Sequence, residues 1–94
     1  MQRISAASDE TGFLTALGQA IRAQRKARGI SQESLAHEAH VDRCHMGKIE
    51  RGERNVTILN IVRICSILDF PTSELLKQAE AIALSSREKI SARL

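Results

Sequence analysis

Apolar residues recur at intervals of three and four along most of this 94-residue chain, and no strand-length run alternates. That period predicts helices rather than sheet. Phe13, Leu14, Leu17, Ile21 and the stem of Arg25 form one stripe, so a first helix is expected to begin after Ser8 or Asp9 and run to Arg28, with Gly29 as its stop. Ser31 suits an N-cap, because its hydroxyl can accept a bond from an amide of the first turn. Leu35, Ala36 and Ala39 then give a short second helix one apolar face. A turn follows at His40-Val41. Asp42 caps a third helix of about Arg43 to Arg51, and Gly52 ends it. Met46 and Ile49, with Val41 before the cap, face inward; Arg43, Cys44, Gly47 and Lys48 are left outside. After a loop from Gly52 to Val56, Thr57 caps a fourth helix over Ile58 to Leu68. Pro71 suits the start of a fifth, Thr72 to about Leu84. Ser85-x-x-Glu88 has the spacing of a capping box for a last short helix, and equally suits a frayed tail. The expected organisation is a loose lead over 1–8, one helical domain over 9–84, and a helical tail over 85–94.

The densest stretch is Gly29 to Thr57. Two short helices joined by a tight turn, the second with a small, basic and polar outer face, match what the major groove of DNA admits. The residues from Leu17 to Leu76 resemble the phage-repressor-like (XRE/Cro) helix-turn-helix family. The resemblance is carried by Arg25-x-x-x-Gly29-x-Ser31-Gln32-Glu33-x-Leu35-Ala36, by Ile49-Glu50-Arg51-Gly52, and by Ile61 through Leu68. The segment VDRCHMGKIERGERNVTI looks closer still to the controller proteins of restriction-modification systems, which are small DNA-binding dimers. The expected fold is therefore all-α: a compact five-helix helix-turn-helix DNA-binding domain with a short C-terminal helical extension. One position departs from the family. Gly is usual in the turn between the two motif helices, and here His40 or a neighbour stands there. A left-handed backbone at His40 would carry strain.

The resemblance implies roles for single residues. Arg25 and Glu50 would form a partly buried ion pair locking the recognition helix to helix one. Arg43, Cys44 and Lys48 would reach base edges, Arg and Lys toward guanine and Cys44 toward a thymine methyl. Each can instead position the backbone without reading sequence. Gln32, His45, Arg51, Arg54 and Asn55 would contact phosphate. For Gly47 two readings stand: it lets the backbone approach DNA, or it is a tolerated cost of about 1 kcal/mol against Ala.

Helix four carries more apolar surface than one core face needs. Ile58, Ile61, Val62, Cys65 and Leu68 cluster on one side, with Ile64 at the edge. Leu59 and Ile67 point elsewhere with Arg63 between them. Scattered surface hydrophobes are common. A homodimer contact through Leu59, Arg63, Ile67 and Phe70 is the preferred reading, since the resembling family commonly pairs subunits here.

Composition adds bounds. Two Phe and no Trp or Tyr imply an aliphatic core. The formal charge of +3 is only mildly basic. Its distribution says more: Arg22, Arg25, Lys26 and Arg28 precede the motif, while Arg43, Lys48, Arg51 and Arg54 lie in or just past its second helix. Asp42, Glu50 and Glu53 are interleaved among them, as on an ordinary solvated face. Two cysteines make no disulfide framework, and Cys65 falls in core register. His37, His40, Cys44 and His45 lack paired zinc spacings, so no metal or cofactor is expected. No nucleophile–base pairing or phosphate loop points to an enzyme. No run is long enough for a signal peptide or membrane span, which leaves the cytoplasm as the expected compartment. Double-stranded DNA and a second copy of the chain are the expected partners. An antitoxin, binding a toxin through Ala79 to Leu94 as well as its own operator, is the alternative.

Overall fold

The computed structural model describes residues 5–93, with side chains placed as far as Arg87. A 3-10 turn at Ala6–Ser8 precedes five helices: α1 Phe13–Ala27, α2 Gln32–Glu38, α3 Arg43–Glu50, α4 Ile58–Leu68 and α5 Thr72–Arg93. No strand occurs among the described residues. The expected caps hold three of the starts. The side chains of Ser31, Asp42 and Thr57 accept from the amides of Ser34, of Cys44 and His45, and of Asn60. This satisfies donors that a helix start otherwise leaves unpaired.

Helix α1 begins later than its apolar stripe suggests. The Asp9 carboxylate accepts from the amides of Thr11 and Leu14, and Gly12 stands at φ 73°, so the chain turns before it coils. These amide bonds, that to Leu14 first, hold the Asp9 carboxyl below its usual range.

The helix ends share one device. Gly29, His40, Gly52 and Asp69 have positive φ. The amide after each bonds back to the carbonyl five residues earlier: Ile30 to Arg25, Val41 to Ala36, Glu53 to Lys48 and Phe70 to Cys65. This is the Schellman arrangement, which uses a left-handed residue to satisfy terminal carbonyls. The left-handed residue between α2 and α3 is thus His40, at φ 58°.

The core is aliphatic, built from Leu17, Ile21, Leu35, Met46, Ile49, Ile64, Leu68 and Leu75 with small alanines between. Helix α1 lies against α3 and α5, α2 against α3 and α4, and α4 against α5. Because α4 is held between α2 and α5, its buried face is rotated from the expected one. Ile61, Ile64, Cys65 and Leu68 are buried, whereas Ile58 and Val62 are exposed. Ile67 and Phe70, expected on an unpartnered side, are half-buried and pack on the core. Burial also pushes the Cys65 thiol up from its usual range.

The separate last helix does not form. Helix α5 passes through Ser85 without a break and reaches Arg93. Its sequence holds no Gly or Pro after Pro71, so good helix formers override the capping signal. Residues 1–4 of the expected lead, Leu94, and the side chain of Glu88 lie outside the described residues.

Candidate nucleic-acid interface

Helix α3 is short, eight residues, and is fixed from behind by two contacts with α1. The first is polar. Arg25 donates from Nε to Glu50 Oε2 at 2.7 Å and from Nη2 to Oε1 at 3.0 Å. Its Nη1 donates to the Ile30 carbonyl at 3.0 Å, which ties the α1–α2 loop to the same side chain. The Glu50 side chain is 4% exposed, so the pair is screened little by water. The second contact is steric. A Cβ on Gly18 would overlap the Glu50 carbonyl oxygen and stand 2.6 Å from that of Ile49. Only a hydrogen at this position lets α1 and α3 approach so closely. Nothing in the apolar period of α1 marks Gly18 as special; its place on the buried stripe beside Leu17 is the one available signal.

With Met46, Ile49 and Glu50 turned inward, the outer surface of α3 follows from its 100° step. Arg43, Cys44, Gly47, Lys48 and Arg51 share that surface. Arg43, Cys44 and Arg51 are exposed, and Lys48 and His45 are half-buried. Gln32, the first residue of α2, lies alongside: its Oε1 is 3.4 Å from where a Cβ of Gly47 would be. Arg54 and Asn55 are exposed in the loop that follows. Arg43, Cys44, Lys48 and Arg51 therefore fall on one side of α3, with Gln32 beside them, whereas His45 lies a further step round, next to the inward Ile49.

Gly47 has a neighbour that neither reading of it considered. It is buried, because the Arg51 guanidinium and the Gln32 amide lie across it. Two of the basic residues on this surface have acidic partners. Glu33 on α2 stands 3.8 Å from Arg43, an exposed and loose pair. Glu53 engages Arg51 side-on, at 2.8 Å from Nε and 3.4 Å from Nη2. The hydrogen bond from Arg51 holds the Glu53 carboxyl below its usual range, and Glu53 in turn raises Arg51. The cue for this pair was Gly52, whose left-handed turn brings Glu53 back toward Arg51.

The second surface of interest is on α4. Ile58 (59% exposed), Leu59 (66%) and Val62 (45%) form a contiguous apolar face beside the exposed Arg63. Among the described residues no group of three His, Cys, Asp or Glu side chains comes together as a metal site. No described helix is long and apolar enough to cross a membrane.

The comparisons fit this geometry. The helix-turn-helix family profile matches residues 21–75. The control protein C.MunI from Mycoplasma sp is 36% identical over 64 residues, covering 67% of this chain and 86% of its own. The crystal structure of the restriction-modification controller protein C.AhdI from Aeromonas hydrophila superposes with a TM-score of 0.65 at 44% identity, covering 66% of this chain and 94% of that one. The clp gene regulator ClgR from Corynebacterium glutamicum aligns with a TM-score of 0.79 at 26% identity, over 86% of this chain and 87% of its own.

Proposed function

The chain belongs to the helix-turn-helix family, and from that premise we propose that it is a DNA-binding transcription regulator of the restriction-modification controller type, acting as a homodimer on a two-fold-related operator. The observation that carries this reading is the outer surface of α3. It is small, polar and basic, it is held rigidly by Arg25–Glu50 and Gly18, and it projects beside Gln32. A helix of this size, presented by a partner helix, enters the major groove.

In this reading Arg43, Cys44 and Lys48 meet base edges, and Gln32, His45, Arg51, Arg54 and Asn55 meet phosphates on either side. Two copies joined through α4 set the two recognition helices about 34 Å apart, one turn of duplex. One short helix reads only a few base pairs, so two half-sites multiply the discrimination. Occupancy of the paired half-sites rises with protein concentration, because dimerisation does. The chain acts in the cytoplasm by binding, not by catalysis.

Selection from a pool of randomised 30-base-pair duplexes (about three helical turns) tests the reading. The expected product is a site with two related halves one turn apart. Arg43→Ala should then weaken binding to that site by about 1–3 kcal/mol and relax preference at one base pair per half. Failure of the wild-type chain to enrich any site would sink the proposal.

A further inference from the structure

We propose that Glu53 is a positioning residue that makes Arg51 a base-reading side chain, with Gly47 as the seat on which the guanidinium lies. The inference deepens the DNA-binding reading above and rests on it. It moves Arg51 from the phosphate contacts to the specificity contacts.

The geometry begins with the two edges of a guanidinium. Glu53 takes the side-on edge, Nε and one N–H of Nη2. The end-on edge, Nη1 with the outer N–H of Nη2, is turned away from the carboxylate and engages no described residue. Its direction is set by Gly47. Nη1 is 3.1 Å from the place a Cβ of Gly47 would occupy, so the guanidinium rests on bare helix backbone, beside the Gln32 amide. Gly52 completes the clamp. It ends α3 at φ 75°, and Glu53 donates from its amide to the Lys48 carbonyl at 2.8 Å, which folds the carboxylate back along α3.

Charge decides what such an arginine suits. A phosphate contact draws on net positive charge and counterion release. A carboxylate on the side-on edge cancels much of that charge. The guanine edge asks for something else: two neutral acceptors, O6 and N7, met by a planar fork held at one angle. An exposed ion pair adds little to stability. The consequence of the Arg51–Glu53 pair is therefore orientation, and what it orients is a bidentate donor on the outer face of the recognition helix.

The test uses the duplex selected by the wild-type chain, its single-base-pair variants, and a scrambled duplex of equal length. Glu53→Gln, Arg51→Lys and Gly47→Ala are compared with wild type. Glu53→Gln removes the charge that holds Arg51, Arg51→Lys removes the fork, and Gly47→Ala displaces the guanidinium without changing charge. All three should lose preference at one and the same G·C pair per half-site, by about tenfold. Binding of the scrambled duplex should stay constant or, for Glu53→Gln, tighten. Melting curves of Glu53→Gln should match wild type, since the pair is exposed. If Glu53→Gln instead tightens every duplex equally and leaves base preference intact, the carboxylate is only a competitor of phosphate and the proposal fails. A wild-type chain that selects no site at all overturns the functional reading first. A selected site with uniform losses overturns the positioning role alone.

Discussion

Arg25 and Glu50 meet edge to edge, 2.7 and 3.0 Å apart, across the junction of α1 and α3. The same guanidinium holds the Ile30 carbonyl, so three segments close on one side chain. The pair couples fold to the proposed function: the helix whose outer face is proposed to meet DNA is anchored through its inner carboxylate. Glu50→Ala should leave the Arg25 charge buried without its partner and cost up to about 3–5 kcal/mol. Thermal unfolding measures it. A variant that melts like wild type and fails only in DNA binding would contradict the anchoring role.

Gly18 should be as intolerant as Glu50, for a steric reason. The two carbonyls a Cβ would strike belong to helix backbone and cannot swing aside. Gly18→Ala is expected to destabilise by about 3 kcal/mol, the upper part of the range for overpacking. This reverses the sign expected from helix propensity alone, which favours Ala over Gly by about 1 kcal/mol. A raised melting temperature would show that α1 and α3 are less tightly apposed.

His40 carries left-handed backbone strain at φ 58°. Such a conformation costs an L-residue about 1–2 kcal/mol, of which glycine returns part through its own loss of chain entropy. His40→Gly should therefore stabilise by about 0.5–1 kcal/mol. His40→Val should destabilise, since β-branched residues tolerate this region least. Melting midpoints that move together, rather than in opposite directions, would remove the strain argument.

The apolar face of α4 predicts the site of self-association. Ile58, Leu59 and Val62 are each exposed in a single chain, and a domain this small gains from covering them. Wild type should sediment as a dimer in sedimentation equilibrium, and Leu59→Glu with Val62→Glu should give a folded monomer. Ile67→Glu should behave differently. Ile67 packs on the core, so its charge should lower the melting temperature as well. If the double variant keeps its fold and still sediments as wild type does, the interface lies elsewhere.

Much of this molecule is legible in one dimension because its signals are local. A hydroxyl or carboxylate before a helix bonds amides two or three residues on, so Ser31, Asp42 and Thr57 announce their helices without help from the rest of the chain. The apolar period separates Met46 and Ile49 from Arg43 and Cys44 for the same reason: a helix turns by a constant angle. The strain at His40 is local too, since the six-residue loop of the Schellman bond from Val41 to Ala36 demands a left-handed residue there.

What tertiary structure alone decided is where two elements meet. The stripe on α4 is wide enough to be buried from either edge, and packing between α2 and α5 chose Ile64 over Ile58 and Val62. The length of α5 depended on competition between a capping signal and uninterrupted helix formers. Gly18 and Gly47 look alike in sequence, each a glycine inside a helix. One admits the backbone of α3, and the other admits the side chains of Gln32 and Arg51. A missing side chain records only that something else needed the space; which atoms filled it depends on residues distant along the chain, and only their arrival in three dimensions names them.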